Sequence, residues 1–375
     1  MNILMLSIDK KIFDEQSVVQ RRMLEYGTLV NKLHIIVLNK INRPFRTAKI
    51  GTNVYLHPTN SNSKFAYLSD ALQIARALKR IDLITAQDPC ETGFIAWRIA
   101  KKLKFKLELQ IHTDVFNSHF IKYSWANKIR NLLARFLLPK ADGIRVVSKR
   151  IQHSLPDKIQ QQKSITVLPI FSSPTFARVS APKFDLKRKY PQFKFIILML
   201  SRLEKEKNIP LAISALKEVV KVFPKTGLLI VGDGSERKTL RRKARSAGLE
   251  EQIIFKKWTD DTFSYYKTAD VFLSTSWYEG YGLTLAEAIL ARCPILTTKV
   301  GIVGEILSGN NSLLCAVGDK KCLVANLIKA QQYPELLIEM KEKAFADFMR
   351  KTIQTQEEVL RILQNSWKEI IEKNN

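Results

Sequence analysis

Ser276-Trp277-Tyr278-Glu279-Gly280-Tyr281-Gly282-Leu283-Thr284-Leu285-Ala286-Glu287-Ala288 is the stretch on which the reading of this 375-residue chain turns. It follows an apolar, strand-like run from Ala269 to Thr275. It then bends through two glycines and continues with Leu283, Leu285, Ala286, Ala288 and Ile289 in helical spacing. A strand, a glycine turn and a helix make a place for phosphate. The first turn of the helix offers unpaired N–H groups and the positive end of its dipole, and Gly280 and Gly282 let an anion reach backbone that a Cβ would cover.

The same grammar recurs along the chain. Phe195 to Leu200 reads as a buried strand, followed by Ser201-Arg202-Leu-Glu-Lys-Glu-Lys207-Asn208 and an amphipathic helix opening near Pro210. Leu228 to Val231 runs into Gly232-Asp233-Gly234, and Cys293 to Thr298 is a further short strand. In the first half, Asn2 to Ser7, Leu33 to Leu38, Asp82 to Thr85, Phe105 to Ile111, Gly143 to Val147 and Ile165 to Leu168 are expected as buried strands with helices between them. The length suits two α/β domains rather than one core. The prolines between Leu168 and Pro182 mark the boundary, giving domains 1–175 and 176–352 and a final helical segment 353–375.

The run Glu279-Gly-Tyr-Gly-Leu-Thr-Leu-Ala-Glu287 resembles the signature of the retaining glycosyltransferases of family 4 (glycosyl transferases group 1). The resemblance implies the GT-B fold, with two doubly wound, Rossmann-like domains facing a cleft and a C-terminal helix crossing back to the first domain. It implies transfer of a sugar from a nucleoside-diphosphate sugar, UDP- or GDP-linked, to a hydroxyl acceptor, with no cofactor. Glu279 would contact the donor sugar, Glu287 the ribose, and Arg202 and Lys207, five apart after a strand, the diphosphate together with Gly280, Tyr281, Gly282 and Leu283. Two fixed cations answer the negative charge that grows on the departing diphosphate. Gly232 and Gly234 match a second donor-side loop. Lys257 stands where the family generally has a glycine near the base pocket, and the neighbouring Trp258 reads as core cover or as a base-stacking ring, with core cover preferred.

The first half resembles the family more loosely and is expected to bind the acceptor. His112, at the end of the strand Lys106 to Ile111, matches the family's histidine near the reacting carbon. Asp114, Asp88 and Ser17 are weaker acceptor-side candidates, and for Asp88 the helix-cap reading is preferred to a direct acceptor role. The loop after the first strand, Ser7 to Ser17, has no glycine, so Lys10, Lys11 or Ser17 would replace backbone contacts made elsewhere.

Net charge is +26, and residues 1–180 hold 29 Lys and Arg against 12 Asp and Glu. Lys122 to Lys140 forms a basic segment interleaved with Leu132, Leu133, Phe136, Leu137 and Leu138. Such a segment either lies on an anionic membrane surface or packs on its own sheet with lysines in water. The resemblance implies a sugar, glycan or lipid-linked acceptor, and the basic segment is consistent with the lipid-linked case. No apolar stretch approaches ~18 residues, so the expected location is the cytoplasm, with the inner membrane face open. The four cysteines read as reduced core residues. The five histidines show no pairing, and no metal is expected. A sugar phosphorylase or synthase with the same fold is the alternative. The run Arg237 to Arg245 raises a nucleic-acid-binding reading, but no specific nucleic acid is expected, because no recognition motif accompanies it.

Overall fold

Strands buried on both faces read as unbroken apolar runs, and two such runs, Asn2–Ser7 and Phe195–Leu200, become the central strands of two separate sheets. The computed structural model describes residues 1–42, 44–171 and 181–373. It divides into Met1–Pro169 with Gln356–Asn375, and Ile170–Thr355. The expected boundary between residues 175 and 176 lies outside the described residues.

The first unit holds β1 (Asn2–Ser7), β2 (Lys32–Val37), β3 (Ala48–Ile50), β4 (Val54–Pro58), β5 (Leu83–Ala86), β6 (Lys106–Ile111), β7 (Gly143–Val146) and β8 (Ser164–Val167). Their order is β3-β4-β2-β1-β5-β6-β7-β8, parallel throughout except that β3 runs against β4. The β3–β4 hairpin has no counterpart in the expectation from sequence. Its three- and five-residue strands are only partly buried and carry polar residues.

One face of this sheet is polar in its middle, where Thr85, Glu108 and Arg145 stand on β5, β6 and β7. The last helix, Gln356–Glu372, covers it. Trp367 is fully buried there and donates its indole N–H to Glu108 Oε2 at 3.3 Å, while Thr166 Oγ1 meets Ser366 Oγ at 3.0 Å. Gly143 leaves room for Ile370, whose side chain would collide with any Cβ at that position.

The second unit holds β9 (Phe195–Leu200), β10 (Thr226–Val231), β11 (Ile253–Lys256), β12 (Val271–Ser274), β13 (Ile295–Thr298) and β14 (Leu313–Cys315), in the order β11-β10-β9-β12-β13-β14, all parallel. This is the doubly wound order. The chain reverses direction across the sheet between β9 and β12, so the carboxyl ends of those two strands open a crevice where ligands collect. In the first unit the equivalent reversal falls between β1 and β5. The helix Ile209–Val222 buries Ile209, Ile213, Leu216 and Val219 beneath β9 and β10, and each such side chain stabilises the unit by ~1.5–3 kcal/mol.

Candidate functional site

The crevice of the second unit is assembled from two loops that the sequence keeps 70 residues apart. The loop after β9 is stitched to the turn after β12. Trp277 donates its N–H to Glu206 O at 2.8 Å, and Thr275 Oγ1 donates to Lys207 O and Asn208 O at 2.9 and 3.0 Å. This stitching sets Lys207 Nζ 2.6 Å from Glu279 Oε1, which also accepts from Ser276 Oγ at 2.8 Å. Glu279 Oε2 makes no hydrogen bond among the described residues. Arg202 extends into solvent and pairs with Glu206 at 3.1 Å. Ser201 Oγ, at the end of β9, is buried without a hydrogen-bond partner among the described residues.

Gly282 caps the helix Leu283–Leu290 with φ +88°, a left-handed conformation that a side chain would strain. Tyr281 is buried, and burial followed by the nearby Glu305 raises its hydroxyl pKa. Only its backbone is available to an anion. Glu287 lies one turn into the helix. Its Oε2 accepts from the hydroxyl of the fully buried Tyr266 at 3.1 Å, and burial raises the carboxyl's pKa against the lowering effect of that bond. Gly232 has φ +147°, and a Cβ there would strike Ser201 O. Gly234 lies against the backbone of Leu203, so the second glycine loop closes over the loop carrying Arg202.

The structure therefore brings Lys207, Glu279 and the Gly282 turn together, and places Glu287 behind them on the same helix. Ser276 and Tyr266 were not singled out by sequence reasoning. Ser276 lies inside the diagnostic run and Tyr266 in the helix before β12, and only the fold reveals that each holds one of the two glutamates.

In the first unit, a cavity of about 320 Å³ opens at the carboxyl ends of β1, β5, β6 and β7, lined among others by Arg22, Gln87, Asp88, Gln110, His112 and Arg145. His112 donates Nε2–H to Gln110 Oε1 at 3.0 Å. Gln110 Nε2 donates to Thr85 Oγ1 at 2.8 Å, and Thr85 in turn donates to Glu108 Oε2 at 2.5 Å. By surface area the His112 side chain is exposed at the rim of this cavity, and the protein packed around it, then Arg145 and Arg22, lower its pKa to about 4. It is neutral near pH 7, with Nδ1 free to accept.

The weaker candidates are engaged in local structure. Asp88 accepts from the N–H groups of Cys90 and Thr92 and from Thr92 Oγ1, capping the helix Glu91–Leu103, although it also lines the cavity. Asp114 is buried and accepts from Ser154 Oγ and Phe116 N. Ser17 Oγ caps the helix Val18–Gly27 and donates to Lys11 O.

Several expectations are corrected. Cys315, ending β14, and Cys322, opening the helix Lys320–Gln332, are joined as a disulfide with Cα atoms 5.7 Å apart, because the connecting turn folds the helix start back on the strand end. Cys90 and Cys293 are free and buried. His34 and His57 are paired, Nδ1 to Nε2 at 3.1 Å, because β2 and β4 are adjacent. Trp258 is 51% exposed rather than core, set beyond the end of β11. Arg237, the first residue of the basic run, donates to Gly232 O and Lys256 O and braces the glycine loop.

Residues 183–347, most of the second unit, match the family model described as Glycosyl transferases group 1. The chain is 28% identical over 257 residues to alpha-monoglucosyldiacylglycerol synthase of Streptococcus pneumoniae, an alignment covering 65% of this chain and 58% of that protein. The chain thus spans less than two thirds of this relative's length. Among solved structures, sucrose-phosphate synthase from Thermosynechococcus elongatus matches with a TM-score of 0.82 at 15% identity, covering 100% of each chain. Anabaena HepE in complex with UDP-glucose matches with a TM-score of 0.72 at 17% identity, covering 99% of this chain and 100% of that one. The fold is the GT-B type, built of two Rossmann-like units.

Proposed function

Because its second unit belongs to the group 1 glycosyltransferases, we propose that the chain is a retaining glycosyltransferase that moves a sugar from a nucleoside-diphosphate sugar to a hydroxyl acceptor. The observation that carries this reading is the Lys207–Glu279 pair, held at the mouth of a glycine turn whose helix bears Glu287. A diphosphate fits the helix N-terminus and Lys207, and Arg202 swings from Glu206 to join it. Glu287 accepts the ribose hydroxyls. Glu279 keeps one oxygen on Lys207 and Ser276 and turns the other to the sugar hydroxyls.

As the bond from the anomeric carbon to the diphosphate breaks, its electron pair leaves with the phosphate oxygen, and the two cations stabilise the charge that builds there. The acceptor oxygen bonds to the same face of the sugar, and its proton passes to the departing phosphate. No protein nucleophile takes part. UDP is the favoured donor nucleotide, by analogy with the HepE complex.

The first unit takes the acceptor, and His112 is the residue there that the family resemblance assigns to the reaction. A membrane-surface acceptor is supported by the helix Trp125–Leu137. Trp125, Ile129, Leu132 and Phe136 form one stripe at helical spacing, and all four are exposed, Trp125 to 76% and Leu132 to 65%. Inward, the helix presents Asn127 and Asn131, whose amides donate to Phe120 O and Val115 O. Lys140 lies over the Phe136 ring, and Arg98 and Lys101 over the Trp97 ring. Apolar side chains rimmed by cations suit an anionic lipid surface. No helix among the described residues is long and apolar enough to cross a membrane. The reading is attachment of this helix to an anionic membrane surface, with the inner face the expected one.

The test is the thermal midpoint of the purified chain against UDP, GDP, ADP, CMP and their sugars. A shift with one nucleotide that disappears in Glu287→Ala supports the donor site. No shift with any of them overturns it.

A further inference from the structure

Arg145 is the anomaly of the first unit. It is 6% exposed, yet its five N–H donors make no hydrogen bond among the described residues, and its only charged neighbour is Glu108 Oε2 at 3.9 Å, beyond hydrogen-bond reach. Buried polar groups are almost always paired, and a guanidinium is costly to leave unpaired. Glu108 cannot be the full answer. Its Oε2 is already shared by Thr85 and Trp367, and its Oε1 is buried without a partner. The side chain of Arg145 lines the 320 Å³ cavity at the strand-order reversal of this sheet. Arg22, exposed and making no hydrogen bond or ion pair among the described residues, lines the same cavity. The one carboxylate on the wall, Asp88, is saturated by the donors of the helix it caps. The free charged groups of the cavity are therefore cationic, with His112 Nδ1 as a neutral acceptor beside them, at a volume suited to a small ligand.

We propose that this cavity receives an anionic group of the acceptor, a phosphate or carboxylate bound by Arg145 and Arg22, so that the enzyme selects hydroxyl acceptors carrying a negative charge close to the reacting hydroxyl. A planar guanidinium with unused N–H groups is suited to two parallel bonds to such a group. The inference rests on the first unit being the acceptor side. It adds the chemical class of the acceptor and two residues that determine it.

The experiment is calorimetric titration of the full chain with inorganic phosphate, with UDP in excess so that the donor side is filled. Saturable binding is expected, weakened about tenfold or more in Arg22→Gln and in Arg145→Lys and unchanged in Arg202→Gln. Arg22→Gln alters an exposed side chain and should fold even if Arg145→Lys does not. Competition by sn-glycerol 3-phosphate in solution, or by phosphatidylglycerol but not phosphatidylcholine vesicles, identifies a soluble or a lipid source of the anion. Absence of saturable phosphate binding, indifference to both variants, or competition by neither compound overturns the proposal. Failure to bind UDP sinks the donor reading instead and leaves the Arg22→Gln comparison legible.

Discussion

Lys207 Nζ and Glu279 Oε1 lie 2.6 Å apart, although 72 residues separate them in sequence, and both side chains are largely shielded from solvent. The pair means that neither charge waits for the donor unpartnered. Glu279 aims the lysine, the lysine and Ser276 fix the carboxylate in place, and the donor enters an arrangement already organised. Glu279→Gln retains the shape but loses the charge, and is expected to lower kcat by ~10²–10³. Lys207→Ala should lower kcat and donor affinity together. In a double-mutant cycle the two losses should fall short of additivity by ~0.5–3 kcal/mol. Additive losses would show that the pair does not act as a unit.

Glu287 makes a separate prediction. Glu287→Gln should raise the donor KM by ~10–100-fold, the worth of hydrogen bonds to a charged group, with a smaller effect on kcat. Tyr266→Phe, which removes the hydroxyl that holds Oε2, should have a milder effect in the same direction. Burial raises the pKa of Glu287 above the ordinary carboxylate range. Donor affinity should therefore begin to fall at a higher pH than for an exposed carboxylate as the solution is acidified. Steady-state KM against pH, in wild type and Glu287→Gln, measures both effects.

The His34–His57 contact predicts a pH-dependent stability. Burial, then His57, then Lys32, lower the pKa of His34 to about 4 from its ordinary 6.5, and burial lowers that of His57. Both rings are neutral in the folded chain at pH 7, one donating to the other, and the Tyr55 ring stacks on His34 at 5.0 Å. The unfolded chain binds protons first on acidification. The stability that the pair contributes is present above pH 6.5 and is lost as pH falls toward 4. His34→Gln should flatten the thermal midpoint between those limits relative to wild type, and parallel curves would remove the pair as the cause.

The exposed stripe on the helix Trp125–Leu137 should govern attachment to lipid. Trp125→Ser with Leu132→Ser is expected to reduce binding to phosphatidylglycerol vesicles by about tenfold or more, given ~1.5–3 kcal/mol for each large apolar side chain buried. Transfer to a soluble acceptor should be unaffected. Salt should weaken the wild-type interaction through the surrounding lysines and arginines. Vesicle co-sedimentation at two ionic strengths reads both, and equal binding by the double variant would discard the helix as the contact.

Trp367 ties the final helix to the polar face of the first sheet. Trp367→Ala empties a fully buried site and leaves Glu108 Oε2 one donor short, so the first unit should lose ~3–5 kcal/mol. Denaturant unfolding followed by circular dichroism should show an early transition, whereas a midpoint equal to wild type would mean that the helix contributes little.

Sequence by itself determined most of the strands, the doubly wound class and the glycine loops after β10 and β12, but not the β3–β4 hairpin or β14. Apolar runs of strand length, glycine turns and a helix start are local features: they lie on contiguous residues and need no knowledge of what packs where. The run from Ser276 to Ala288 was legible for that reason, as were Arg202 and Lys207 just beyond β9. The tertiary structure decided everything that depends on neighbours. It put Lys207 on Glu279 and Tyr266 behind Glu287, because β9 and β12 are adjacent only in the folded sheet. It joined Cys315 to Cys322 and His34 to His57 across elements whose spacing carries no signal. It left Arg145 in a cavity without a hydrogen bond among the described residues, on a strand that reads from sequence as ordinary core. It also divided the apolar residues of the helix Trp125–Leu137 between two faces, burying Ala134 and Leu137 beside Asn127 and Asn131 and leaving Trp125, Ile129, Leu132 and Phe136 exposed. The carbonyls of Val115 and Phe120 are satisfied by the amides of Asn131 and Asn127, so the apolar residues on the opposite side face water. Periodicity reveals that a helix has two faces, but which one is buried depends on the polar groups that the rest of the chain leaves to be paired.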